Sequence, residues 1–82
     1  MTGFSYVYIL ESAGRSGHYY VGLTNGLATR LAAHNAGNDT HTAKFRPWRI
    51  KPAIAFRDRK RAAAFEVYLK SPSGRAFAKK RL

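Results

Sequence analysis

Ser5-Tyr6-Val7-Tyr8-Ile9-Leu10-Glu11 and His18-Tyr19-Tyr20-Val21-Gly22-Leu23 set the architecture of this chain. The first alternates, and both are rich in the tyrosine, valine, isoleucine and leucine that fit a pleated, half-buried strand. Between them, Ser12-Ala13-Gly14-Arg15-Ser16-Gly17 is a run of turn residues, so the pair reads as an antiparallel hairpin. With the loop centred near Gly14, Tyr8 falls roughly opposite Tyr20 and both rings face the same side of the sheet.

Beyond the hairpin the period changes from two to that of a helix. Thr24 or Asn25 is placed to cap a helix from about Gly26 to Ala36, with Gly37 as its C-terminal stop. Leu27 and Leu31, supported by Ala28 and Ala32, form its buried stripe, and Arg30 and His34 lie together beside that stripe. Asn38 to Pro47 is a polar, basic loop. Trp48 to Phe56 is a third strand, with Pro52 marking an edge or an irregular start. Asp58 caps a helix over Arg59 to Lys70 whose apolar face is Ala62, Phe65 and Leu69, and Ser71-Pro72 opens a short final helix. The order is β-β-α-β-α-α. It describes a single α+β domain over residues 1–82, a three-stranded antiparallel sheet flanked by helices.

Fifteen Lys and Arg stand against four Asp and Glu, a net charge of +11. Such an excess suits a polyanion, through phosphate neutralisation and counterion release. The basic residues run along the whole chain, which is not the pattern of an amphipathic membrane helix. Apolar residues make up 45% of the chain in periodic groups, which excludes disorder. With no cysteine, neither a disulfide framework nor a thiolate metal site is possible. No apolar run approaches the roughly 20 residues of a membrane span, and the N-terminus lacks a signal-peptide pattern. The expectation is a cytoplasmic protein with no membrane contact.

If the polyanion is a substrate, its hydrolysis needs a water nucleophile, neutralised phosphate charge and help for the leaving oxygen. A hard divalent cation serves the last two and seeks oxygen ligands. Asp39 lies in a turn-like loop, Asp58 is a helix cap, and Glu11 ends a strand. Glu66, the one acid in a helix interior, is the remaining ligand; alone, it reads equally as the ion-pair partner of Lys70, four residues on. Tyr8 and Tyr20 are either a structural cross-strand pair or phenols whose proton is loosened by neighbouring cations, able then to act as general base. Arg30 is a solvated surface arginine or a fork for a phosphate oxygen. His34 hydrogen-bonds the nucleophile or a phosphate, or caps its helix. Arg57, Arg59, Lys60 and Arg61 crowd a helix start, where cations oppose the macrodipole, so they read as a phosphate-binding surface, with Lys44 and Arg46 in the loop able to grip a substrate.

Taken in order, Tyr6-Val7-Tyr8, Tyr20-Val21-Gly22, Arg30, His34 and Glu66 resemble the GIY-YIG nuclease superfamily over nearly the whole chain, and the compact length is similar to its small stand-alone bacterial members. The resemblance implies a magnesium- or manganese-dependent endonuclease that hydrolyses DNA phosphodiesters with low sequence specificity, in repair or recombination, with DNA or RNA as the partner left open by the sequence. It implies that Tyr8 and Tyr20 flank the attacking water, Arg30 contacts the scissile phosphate, His34 lies on the same helix, and Glu66 binds the metal. Tyr6 stands where the motif has glycine, and valines stand at both isoleucines. Several family members carry an asparagine near the domain's end; none follows Asn38 here, which leaves Lys79 or Arg75 for that phosphate contact. The alternative expectation is a catalytically weak DNA- or RNA-binding module that retains the fold.

Overall fold

A computed structural model describes residues 3–82. The elements run β1 (Ser5–Ser12), β2 (Tyr19–Thr24), α1 (Leu27–Asn35), α2 (Thr40–Ala43), β3 (Trp48–Phe56), α3 (Arg59–Lys70) and α4 (Pro72–Arg81). Both neighbours of β1 are antiparallel to it, giving the sheet order β2-β1-β3. Pro52 therefore lies on an edge strand, as its missing N–H requires. The ladder slips beside it, Tyr8 facing Ala53 but Leu10 facing Ile50.

Alternation along β1 divides the interior in two. Val7 and Ile9 pack with Ala62 and Leu69 against α3 and α4. Tyr8 and Leu10 pack on the other face with Trp48, under Leu27 and Leu31 of α1. Asp58 accepts from the Lys60 N–H at 2.9 Å and Ser71 from the Gly74 N–H at 3.1 Å, so both expected caps form.

Four local expectations need correction. Tyr8 is opposite Gly22, and Tyr20 is opposite Leu10. The register moves by two residues, which keeps both phenols on one face. Helix α1 starts from Gly26 with no side-chain cap, because Thr24 Oγ1 accepts the Gly26 N–H instead. Ala28 and Ala32 are exposed, and only the leucines of that stripe pack inward. Within the expected loop Asn38–Pro47 stands a single helical turn, α2, capped by Asp39 accepting from the His41 N–H at 2.9 Å.

Helix α1 ends on Gly37 at φ +81°, with Gly37 N–H donating to His34 O and Asn38 N–H to Ala33 O. This left-handed stop turns the chain back over the sheet. Asn35 then ties the helix end to β3: its Oδ1 accepts the Trp48 N–H at 2.6 Å and its amide donates to Trp48 O at 3.1 Å.

Candidate active site

Four of the five candidate residues meet on the α1 side of the sheet. Tyr8, in the middle of β1, is 2% exposed, and its ring centroid lies 6.4 Å from that of Tyr20. The His34 ring stands 4.9 Å from the Tyr20 ring and 6.2 Å from the Tyr8 ring. His34 is wholly buried, so neither helix capping nor direct phosphate contact is its place. Its Nε2 lies 3.2 Å from the Tyr8 hydroxyl. Arg30, one turn earlier on α1, has both phenols as side-chain hydrogen-bond neighbours, Tyr8 the stronger.

The glycine of Tyr20-Val21-Gly22 has a steric reason. A Cβ on Gly22 would lie 2.2 Å from the Tyr8 hydroxyl oxygen. The phenol of Tyr8 lies across the bare backbone of β2, and any side chain there would displace it. The sequence motif names this glycine; only the register shows what it clears.

Electrostatics correct one expectation. Burial raises the Tyr8 pKa above its ordinary 10.0, and the neighbouring Arg30 pulls the other way without prevailing. The phenol keeps its proton at neutral pH and needs an acceptor to give it up. His34 is suited to be one: burial, then the Arg30 charge, lowers its pKa below 6.5, and Asp39 opposes only weakly. The adjacent Tyr8 oxygen raises the Arg30 pKa, so the guanidinium stays charged.

Glu66 is reached from the other side. It sits on α3, and its carboxylate accepts from Lys70 Nζ at 3.1 Å, the ion pair that its spacing allows. Of the causes that act on the Tyr8 pKa, the Glu66 charge is the smallest, and it raises it. Among the described residues no three His, Asp or Glu side chains cluster as a metal cage. One partly exposed carboxylate fits a cation that keeps most of its water, as magnesium does.

The cationic candidates are dispersed. Arg57 lies over the Phe4 ring at 5.2 Å, Arg59 donates to Asn25 Oδ1, and Arg61 approaches Asp58 at 3.8 Å. Lys60 is exposed at the same helix start. Lys44 lies 5.8 Å from the Phe45 ring centroid, and Arg46 rests against Gly37. By contrast, Lys51, Lys70, Arg75 and Lys79 line one cleft of about 760 Å³ with Tyr19 and Tyr20, and no acid lines it. Lys79 and Arg75, the two residues left for the missing asparagine's phosphate contact, both line this cleft. Trp48 and Phe45 are core residues, and the Trp48 indole donates to Thr42 O at 2.8 Å.

Residues 4–81 match the GIY-YIG catalytic domain. The chain belongs to the GIY-YIG family. That family is one of nucleases, and the fold and the tyrosine pair follow its pattern. Two relatives are similar in sequence. A UPF0213 protein of Streptococcus pneumoniae serotype 4 is 36% identical over 67 residues, 80% of this chain and 66% of the relative. A UPF0213 protein of Cupriavidus pinatubonensis is 35% identical over 69 residues, 83% of this chain and 74% of the relative. The chain thus spans just under two thirds of the length of the streptococcal protein. No solved structure matches. None of the described helices is long and apolar enough to cross a membrane.

Proposed function

We propose that this GIY-YIG domain is a metal-dependent endonuclease that hydrolyses DNA phosphodiesters with little sequence preference. The observation that carries the proposal is the convergence of Tyr8, Tyr20, Arg30 and His34 on one face of the sheet, with the Glu66 charge acting on Tyr8.

The scissile phosphate lies against Arg30, whose planar fork neutralises the charge that grows on the non-bridging oxygens. Tyr20 holds the attacking water. The water gives its proton to the Tyr8 oxygen as Tyr8 gives its own to His34 Nε2, and the resulting hydroxide attacks phosphorus. One O–H bond of water and one of Tyr8 break, while a new O–H on Tyr8 and an N–H on His34 form. The raised pKa of Tyr8 makes it a poor tyrosinate but a good relay, because it never carries a full negative charge. Glu66 would hold a magnesium or manganese ion, which supplies charge neutralisation at the phosphate and the leaving oxygen. The cleft cations lie on the α3–α4 side, where Ile9 and Leu69 share the lining, and serve as a separate electrostatic attraction for a polyanion.

The second reading is a catalytically weak DNA- or RNA-binding module, favoured by the Lys70 ion pair that already occupies the Glu66 carboxylate. Wild type and Glu66→Ala, incubated with plain, nicked and branched DNA with and without magnesium, separate the two. The nuclease reading expects magnesium-dependent cleavage that the variant loses while its DNA affinity persists. Absence of cleavage on every substrate, with equal DNA binding by both proteins, supports the binding module.

A further inference from the structure

Behind His34 lies a buried polar chain that the proposed hydrolysis does not use directly. His34 Nδ1 is 2.9 Å from Thr42 Oγ1, and Thr42 Oγ1 is 3.3 Å from the carbonyl of Asp39. Thr42 is 2% exposed and sits in the single turn of α2. Its own carbonyl is held by the Trp48 indole, and Trp48 is held in turn by Asn35, the neighbour of His34. The hydroxyl is therefore fixed relative to the imidazole from both sides. A four-residue turn with so little apolar surface of its own is kept by these bonds.

We propose that Thr42 is a positioning residue that fixes His34 as the Nδ1–H tautomer, leaving Nε2 free to accept the proton of Tyr8. Proton accounting decides between the two tautomers. With the proton on Nδ1, His34 donates to Thr42 Oγ1, Thr42 donates to Asp39 O, and Tyr8 donates to Nε2 while the Arg30 guanidinium faces its lone pairs. Every hydrogen has an acceptor, and among the described residues no buried side-chain polar atom lacks a partner. With the proton on Nε2, both His34 and Arg30 point donors at the Tyr8 oxygen. The phenolic hydrogen, buried at 2% exposure, then has nowhere to go. In the first arrangement Nε2 can receive the Tyr8 proton; in the second it already carries one, and the free lone pair on Nδ1 faces Thr42. An uncharged threonine hydroxyl does this without placing a buried charge behind the ring, unlike a carboxylate in the same place.

The kinetic consequence rests on the nuclease reading; the tautomer does not, so the two fail separately. The test is a long-range 1H–15N correlation spectrum of histidine-labelled wild type, Thr42→Ser and Thr42→Val at pH about 7.5, alongside cleavage rates. The expected result is an Nδ1–H tautomer for His34 in wild type and Thr42→Ser, and a mixed or Nε2–H tautomer in Thr42→Val. Cleavage by Thr42→Val should then fall on the order of 10–100-fold in kcat with KM unchanged, and Thr42→Ser should restore it. His34 is faced by Tyr8 from β1, Tyr20 from β2, Arg30 from α1 and Asp39 before α2, all retained in both variants. Loss of the acceptor at Nδ1 should therefore move the acid limb of the rate profile to lower pH. A tautomer change without cleavage by any of the proteins still supports the positioning role and sinks only the nuclease reading. An Nε2–H tautomer in wild type, or an unchanged Nδ1–H tautomer in Thr42→Val, overturns the proposal without reference to activity.

Discussion

The two faces of the sheet are built from alternate residues of one strand, yet they do different work. On the α3–α4 side, Val7 and Ile9 meet Ala62 and Leu69 in an apolar cluster. On the α1–α2 side, Tyr8 and Leu10 share their layer with His34 and Thr42, a buried hydrogen-bonded chain. The first face stabilises in proportion to the area it hides. The second gives up some of that gain for groups whose positions are fixed by hydrogen bonds and whose desolvation shifts their pKa. A strand with period two thus places stability and chemistry one residue apart, and β1, in the middle of the sheet, is buried along both faces.

This division predicts which substitutions break which property. Arg30→Ala removes the one guanidinium beside both phenols and should lower cleavage on the order of 10³-fold, within the range for losing a charge-stabilising donor. Its thermal melt should stay close to wild type, and a large loss of melting temperature would show that the α1 side is structural instead.

Leu69→Ala makes the opposite cut. It should cost about 2–5 kcal/mol of stability in denaturant unfolding while the folded fraction keeps its kcat. A selective loss of kcat would mean that the two faces are coupled more tightly than their packing suggests.

Gly22→Ala sharpens the boundary from the β2 side. The added methyl meets the Tyr8 hydroxyl, so the ring must shift, and cleavage should fall by about 10²-fold, the scale for a displacement near 1 Å. Cleavage at the wild-type rate would mean that Tyr8 is not the relay.

Acid sensitivity belongs to the same face. His34 has a folded pKa lowered by burial and by Arg30, so the unfolded chain takes up the proton first. Its contribution to stability is therefore complete above about pH 6.5 and is lost as pH falls through the folded value. Melting temperatures from pH 8 to pH 5 should decline less steeply for His34→Asn than for wild type; parallel curves would remove His34 as the cause. The same protonation blocks the acceptor at Nε2, so cleavage should share this acid limb.

Much of this was legible in the sequence because it depends on local pattern. The hairpin, β3 and α3 follow from alternation and helical period, and the caps Asp58 and Ser71 from their side chains. The face shared by Tyr8 and Tyr20 survived an incorrect register because the slip was two residues, an even number. What stayed hidden depends on contacts between distant segments. Thr42 sits in a polar stretch with no apolar period, and its turn is held by Trp48 and Asp39. Gly22 reads as one more strand residue until Tyr8 is seen to lie across it. The raised pKa of Tyr8 is a balance between burial and Arg30, which no spacing can decide. The cleft cations come from β3, α3 and α4 and gather only in three dimensions.

The smallest expected effect concerns Glu66 on α3, whose helix packs on the apolar side of the sheet. Lys70 competes for its carboxylate at 3.1 Å. Lys70→Gln should lower the magnesium concentration for half-maximal cleavage about twofold, in keeping with the roughly 0.3–0.5 kcal/mol of an exposed helix ion pair. An increased requirement would give Lys70 to the phosphate rather than to Glu66.

The most direct test of the shared site is a manganese titration of isotope-labelled protein, read from paramagnetic broadening of tyrosine ring signals. The account predicts that the rings of Tyr8 and Tyr20 broaden first and together, ahead of Tyr19 and Tyr68, and that Glu66→Gln abolishes the effect. Early broadening around Asp39 or Asp58, with the Tyr8 and Tyr20 rings untouched, would contradict it.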